Sequence, residues 1–468
     1  MALEVSMPHR RKSLRPDHGW SIVSANFQFT NIQGKQLNTG LFGFVAMLCL
    51  LGLGVPVAYA VGTVAIAGIF YAVGSTFLLS TIQSLPYAFA SDYNFVVVPL
   101  FVLMGTLASR AGIISDLYKA AFQLTSGVRG SLMMATVMAQ AMFAAISGST
   151  TVAASIFTRM ALPEMIRYGY NPGVSAGCVA AAGTLAGLIP PSIAMVLFAV
   201  LTGEPIGKLL IAGILPGVLT AVGYIAGIRL MLIYRPEWAP MISERFSLKQ
   251  KLQGISSAWA VFLLIGLVIG GIYTGTFPPS AAGAVGATGV LLIALSTKRL
   301  PKGALWESLI ESARISAVLF LIVMAGLLFS RFLLISGFIG DLKSLVVTLE
   351  MSATVFISLV VVLYLILGCF VDSVSLMIIT LPFLYPISTS LGINGIWFGV
   401  LIIKLIEIAA ITPPVGLNLF AVLSSAKGQV NSRQLFAGIM PFLLMEAVLL
   451  ALLIGFPTIA TSLPALMD

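Results

Sequence analysis

Charge is what this sequence has least of. Of 468 residues, 9% are charged while 59% are hydrophobic, and the mean hydropathy is +1.06. A soluble globular chain carries about 25% charged residues. The few charges are clustered, so long stretches hold none: Gln36 to Ser91 (56 residues), Leu252 to Thr297 (46), Tyr168 to Gly203 (36) and Ser373 to Ile403 (31). A membrane-crossing helix needs roughly 20 apolar residues, so several of these stretches hold two crossings. Histidine is nearly absent. His9 and His18 lie in the polar N-terminal tail, which leaves no histidine for a metal site or a His-based catalytic centre within the apolar region. The three cysteines, Cys49, Cys178 and Cys369, sit in apolar segments, read as buried thiols, and supply no disulfide framework. The tail, residues 1–38, has no apolar core before Leu41 and is no ordinary cleavable signal peptide.

These absences define an all-α, multi-pass membrane protein with about 10–12 crossings. The net charge of +9 does not point to nucleic acid, because the bases sit in short loops between apolar runs, where membrane orientation is encoded.

What the sequence does contain is a duplication. Pro163, Gly169, Asn171 and Pro190-Pro191 recur as Pro386, Gly392, Asn394 and Pro413-Pro414, all at an offset of 223. Val61-Gly62 matches Val285-Gly286, Ser109-Arg110 matches Ser330-Arg331, and "AGILP" (Ala212–Pro216) matches "AGIMP" (Ala437–Pro441) at neighbouring offsets. This gives two homologous halves, 41–234 and 253–460, joined by a polar loop at 235–252.

The loop charges reverse between the halves. Arg229, Arg235, Arg245, Lys249 and Lys251 mark the central segment as cytoplasmic, and Lys298, Arg299 and Lys302 mark the next charged loop likewise. The apolar run between them goes out and back, turning near "TGTFPPS" (Thr274–Ser280). Arg110, Lys119 and Arg129 face one acid, Asp116, whereas Arg331 and Lys343 are cancelled by Asp341 and Glu350. The neutral pair Glu204 and Lys208 has Lys427 and Arg433 as its counterpart. Reversal of this bias is the mark of an inverted-topology repeat. It places the basic tail outside, against the usual rule; three internal loop pairs outweigh one tail.

Each half then breaks a helix. Proline has no N–H and its ring clashes with the carbonyl four residues back. Pro190-Pro191 should free the carbonyls of Ala186 and Gly187, and Pro413-Pro414 those of Ala409 and Ala410. Free carbonyls survive at membrane depth only inside protein or facing a wet cavity, and broken helices near the midplane are a way transporters hold cations. Before each break lies a second matched feature, "AAISGSTTVAAS" (Ala144–Ser155) and "LGCFVDSVSL" (Leu367–Leu376), read as the tips of two re-entrant helical hairpins. Ser149 matches Asp372 and Thr150 matches Ser373. Asp372 is either a helix cap or a group handling substrate or ion. Lys404 and Glu407, three apart on one helix face, predict an internal ion pair.

The segments "SGSTTVAASIFTRMALPEMIRYGYNPGVSAG", "GTLAGLIPPSIAMVLFAVLTGEPIGKLLIAGILPG" and "IWFGVLIIKLIEIAAITPPVGLNLFAV" resemble the large, DctM-type membrane subunit of tripartite ATP-independent periplasmic (TRAP) transporters, over about 41–460. The resemblance implies a sodium-driven secondary transporter of the bacterial inner membrane with an elevator motion. It implies two partners, a small four-helix membrane subunit and a soluble periplasmic substrate-binding protein, and small organic acids as cargo. No cofactor is implied beyond sodium as the coupling ion. Carried over, one sodium site lies around Ser147, Ala186, Ile189 and Pro191, and the other around Gly368, Ala409, Thr412 and Val415. Ser149, Thr150, Asp372, Ser373 and Asn418 become the substrate candidates. The chain departs from the family in having Ala409 where glycine is common, and "GSTTV" where "GSGPA"-like sequence is common; a carbonyl ligand does not need the glycine. An intramembrane enzyme is disfavoured, for want of a membrane histidine or a second facing aspartate, and a channel would not need duplicated broken helices. A stand-alone proton- or sodium-coupled organic anion transporter of the same architecture is the alternative.

Overall fold

The structure, a computed structural model, describes residues 39–467 apart from Ser243 and Arg245, so the tail at 1–38 lies outside it. The described residues form helices joined by short turns. The first half holds α1 (Thr39–Gly52), α2 (Val57–Val73), α3 (Ser75–Ser91), α4 (Val97–Arg110), α5 (Ile113–Thr125), α6 (Ser131–Ser147) and α7 (Thr150–Arg167). It continues with α8 (Pro172–Gly183), α9 (Leu185–Leu188), α10 (Ile193–Thr202), α11 (Ile206–Ala212) and α12 (Ile214–Tyr234). The second half begins with α13 (Leu248–Ser257), α14 (Trp259–Tyr273), α15 (Pro279–Ser296), α16 (Ala304–Ile335), α17 (Phe338–Thr348) and α18 (Ala353–Leu367). It ends with α19 (Ser373–Ser390), α20 (Gly395–Ala410), α21 (Leu417–Ser425), α22 (Ser432–Gly455) and α23 (Thr458–Thr461).

Residues that match in sequence do the same local work. Asn171 accepts from the Val174 N–H at 3.1 Å and starts α8; Asn394 accepts from Trp397 at 3.0 Å and starts α20. An amide side chain at this position satisfies one of the N–H groups a new helix leaves open. Gly169 and Gly392 both turn the chain with positive φ, 80° and 71°. The halves are not identical in their breaks. The stretch matching α3 and α4 is a single helix of 32 residues, α16, whereas the turn Asp92–Val96 divides the first-half version.

The innermost helices are the ones the prolines interrupt. Every residue of α8 from Gly173 to Gly183 is buried, as is all of α20 from Trp397 to Ala410. α8 reaches this depth by packing backbone to backbone on α22: a Cβ on Gly177 would stand 2.5 Å from the Gly438 carbonyl oxygen, and one on Gly438 2.0 Å from the Gly173 oxygen. In a bilayer, where lipid tails are as apolar as leucine, small residues that allow close approach are the main means of helix association. The outer helices α2, α14 and α16 instead present Phe70, Tyr71, Phe262 and Trp306 outward, as a lipid-facing surface does. Cys49 belongs to that surface. Expected to be buried, it is exposed on α1, while Cys178 and Cys369 are buried; apolar sequence context means lipid contact as readily as core.

Five helices among the described residues are long and apolar enough to cross a membrane alone, and eight if each of three bent pairs counts once. That is below the expected 10–12, because α1, α2, α6 and α18 are apolar but shorter than 18 residues.

One end of the molecule gathers the basic loops. Arg110 pairs with Glu307 and, at 2.9 Å, with Glu311; Arg299 pairs with Asp116. The connecting segment crosses this end. Its Glu244 accepts from the Tyr168 hydroxyl at 2.9 Å, which holds that phenol above its ordinary pKa, and the Trp238 carbonyl accepts from Asn171 N–H at 2.8 Å. At the opposite end Tyr385 donates to Glu204 at 2.5 Å, beside a cavity of about 450 Å³ walled by Asp92, Pro279 and Ser280.

The backbone contact makes a prediction. Gly177→Val should lower stability by about 3 kcal/mol, the upper range for overpacking, and Gly340→Val, where a Cβ meets nothing within 4 Å, should cost less than about 1 kcal/mol. Thermal unfolding of the purified variants in detergent measures both.

Candidate functional site

The first interruption runs from Ile189 to Ser192. α9 stops at Leu188, and α10 restarts at Ile193 with Ser192 accepting from Met195 N–H at 3.3 Å; the two parts meet at 41°. Among the described residues no hydrogen bond reaches the carbonyls of Ala186 or Gly187. The second interruption lies between Ala410 and Leu417. There the Ala409 carbonyl, expected free, accepts from Thr412 N–H at 3.0 Å, because the chain tightens by one residue as the helix ends. The Ala410 carbonyl takes no hydrogen bond among the described residues. Thr412 donates its hydroxyl to the Ile408 carbonyl at 2.7 Å, which leaves its oxygen lone pairs open. Both Pro-Pro bonds are cis.

Each helix pair before a break lays its turn on that break. Gly148, at φ 59°, joins α6 to α7, and a Cβ there would lie 2.5 Å from the Pro191 oxygen. Ile193 N–H donates to the Gly148 carbonyl at 3.4 Å. In the other half a Cβ on Gly368 would lie 2.3 Å from the Ala409 Cβ, and Cys369 Sγ donates to the Pro413 carbonyl at 3.7 Å. The structure therefore brings Gly148, the residue after Ser147, to Pro191, and Gly368 to Ala409; Ser147 itself lies against Gly105 of α4. The Ile189 side chain instead packs towards Gly217 on α12. Val415 stands in the irregular stretch before α21.

Buried side chains at the breaks have atoms without partners among the described residues, which natural cores seldom tolerate; Ser147, Asn418 and Glu407 Oε2 are among them. Ser147 is 3% exposed and its hydroxyl meets no hydrogen-bond partner. Asn418, in the first turn of α21, is 0% exposed and neither amide atom is paired. α21 lies along α7, so Asn418 of the second half belongs to the neighbourhood of the first hairpin. Ser149 occupies the N-cap position of α7 without a side-chain bond, and Thr150 is the first residue of that helix. Asp372 caps α19: it accepts from Ser375 N–H at 3.1 Å and from the Ser375 hydroxyl, and Ser373 follows it as the first helical residue. Of the two readings of Asp372, the cap is the one the geometry contains.

Lys404 does not pair with Glu407. It meets Glu446 at 2.5 Å and donates to Thr220 at 3.1 Å, while the Glu407 carboxylate lies against Gly187 of the other broken helix. Spacing along α20 suggested the near pair; α22, packed beside it, supplied a better-placed acid. Glu446 carries a signal in the sequence, being the only charged residue between Arg433 and Asp468.

A many-helix, lipid-facing chain whose two innermost helices are each interrupted beneath a helical turn is a multi-pass membrane protein with the build of a transporter. In fold it is similar to the Alcanivorax borkumensis YdaH transporter, with a TM-score of 0.58 over 90% of this chain and 99% of that one at 15% identity. Residues 44–459 match the family described as "Tripartite ATP-independent periplasmic transporter, DctM component", and the chain belongs to that family. It is 33% identical to the C4-dicarboxylate TRAP transporter large permease protein DctM of Pseudomonas aeruginosa over 80% of this chain and 87% of the relative. It is 28% identical to the sialic acid TRAP transporter large permease protein SiaM of Vibrio cholerae over 91% and 98%.

The cap reading of Asp372 is testable. Asn is as good an N-cap as Asp, so Asp372→Asn should leave transport and stability near their starting values, whereas Asp372→Ala should cost about 1 kcal/mol. Uptake rates and thermal unfolding of the two variants check this; a large transport loss in Asp372→Asn would mean that the charge itself is used.

Proposed function

We propose that this chain is the large permease of a TRAP system that imports a small organic acid across a bacterial inner membrane, driven by sodium. The observation that carries the reading is the paired arrangement of turn and break, with the unpartnered Ser147 and Asn418 side chains buried at it. Hydroxyl and carbonyl oxygens are the donors a small hard cation takes, and the Ser147 hydroxyl, the open Ala186 carbonyl and Pro191 form one such set. Ala409, Thr412 and the neighbouring Gly368 and Val415 form the other. The two relatives' names both specify carboxylates, which favours an organic acid here. The substrate's carboxylate is assigned to the starts of α7 and α19, at Ser149, Thr150 and Ser373, with Asn418 hydrogen-bonding to it. Open N–H groups at a helix start favour an anion, and Asp372 positions one of these ends.

In this reading α6–α7 and α18–α19 are re-entrant hairpins, the halves are inverted in the membrane, and the basic end is cytoplasmic. The hairpins and interrupted helices move together past a static frame that includes α14 and α15. A small membrane subunit binds that frame, and a periplasmic binding protein delivers the substrate.

Reconstitution with the small subunit tests this. A sodium gradient plus free substrate should give little uptake until the cognate binding protein is added, and Thr412→Ala should raise the sodium concentration for half-maximal uptake several-fold. Robust uptake without the binding protein would establish a stand-alone transporter instead. Single cysteines at Pro240 or Lys251 should resist an impermeant thiol reagent in intact cells.

A further inference from the structure

Between the two interruptions runs a buried polar chain that the transport reading leaves without a task. The hydroxyls of Thr184 and Tyr224 are 3.3 Å apart, and Tyr224 donates to one Glu446 oxygen. The other Glu446 oxygen meets Lys404 Nζ at 2.5 Å. Lys404 also donates to Thr220, whose hydroxyl donates to the Pro216 carbonyl at 2.8 Å. All five side chains are 2% exposed or less. Thr184 enters α9 two residues before Ala186, and Lys404 stands on α20 five residues before Ala409. The chain therefore starts beside one break and ends on the helix that leads into the other, passing through α12 and α22.

Stability is a poor explanation for it. A buried ion pair is matched or bettered by well-packed apolar side chains of similar volume, although loss of a single partner is damaging. What the pair supplies is registry. Lys404 reaches both Glu446 and Thr220 only at one rotation and height of α20, and Tyr224 reaches both Glu446 and Thr184 only at one setting of α12 against α9. A shift of either broken helix must therefore break the chain or be passed along it.

We propose that the chain Thr184–Tyr224–Glu446–Lys404 couples the two breaks, so that a cation held at one raises the affinity at the other. This rests on the sodium reading above. Its residues are positioning residues: none is assigned as an ion ligand. Such coupling is reciprocal and commonly amounts to about 5- to 150-fold in affinity.

Cys369 offers a readout that is independent of transport, since it sits on the second break with its Sγ on the Pro413 carbonyl. The experiment uses the full chain, purified with Cys49→Ser to remove the exposed thiol, and follows labelling of Cys369 by a small maleimide as sodium is raised. Sodium should slow the labelling. Ser147→Ala, at the first break, should move the midpoint of that protection to about fivefold higher sodium or more. Tyr224→Phe removes the hydroxyl and keeps the ring against Phe442, 6.0 Å away. In that background Ser147→Ala should no longer move the midpoint. The double change Lys404→Met with Glu446→Met, which removes both partners of the pair at once, should give the same result and serves if Tyr224→Phe folds poorly. An equal shift with the chain intact and cut would overturn the coupling while leaving sodium binding in place. No effect of sodium on Cys369 in the starting protein would remove the sodium reading, and the coupling with it.

Discussion

A backbone carbonyl in hydrocarbon must find a partner, and the architecture of this chain is arranged around the few that do not find one in their own helix. An unsatisfied polar group costs several kcal/mol in lipid, so an interrupted helix is tolerated only where other protein surrounds it. That requirement explains the depth of α8 and α20, which are buried along nearly their whole length. It also explains why a helical turn is laid over each break, with Gly148 against Pro191 and Gly368 against Ala409. The outer helices need no such cover and are free to show aromatic and aliphatic side chains to lipid.

The polar side chains of the interior follow the same logic at a second level. Lys404, Glu407 and Glu446 are all 2% exposed or less, and at the membrane centre each such residue costs about 2.5–3.5 kcal/mol on insertion scales. They are grouped on helices from both halves, where α9, α12, α20 and α22 meet. Lys404 and Glu446 pair across helices rather than along one, which makes the arrangement depend on the whole bundle being assembled.

The parts of this fold that were legible in the sequence are those written in local chemistry. Proline pairs must interrupt a helix, and their equal offset, shared by Asn171 and Asn394, reports duplication without any three-dimensional information. The cap role of Asp372 was within reach for the same reason, since Ser375 lies three residues on. The partner of Lys404 was not. Helical spacing points to Glu407, and only the packing of α22 beside α20 brings Glu446 closer. Cys49 fails similarly: an apolar helix has a lipid side and a core side, and α1 is apolar all round, so nothing in its pattern says which is which. The Ala409 carbonyl was assigned as free from the proline rule alone, yet Thr412 N–H reaches back to it as the helix closes. Ser147 and Asn418 could be named from the sequence, but their lack of partners is a property of the assembled interior.

The glycine contact between α8 and α22 bears on how such a chain is made. α8 lies in the first half and its closest neighbour begins at Ser432. A ribosome that has just finished the first half has therefore inserted a helix that can pack on α6 and α7 but whose glycine face, the one that meets α22, has no occupant. That face stays open to lipid or the insertion machinery until some 200 further residues have been added. The two halves, alike in sequence, are thus not two folding units laid side by side. Each packs within itself but is completed by the other, and biogenesis has to leave the glycine face of α8 open until α22 arrives.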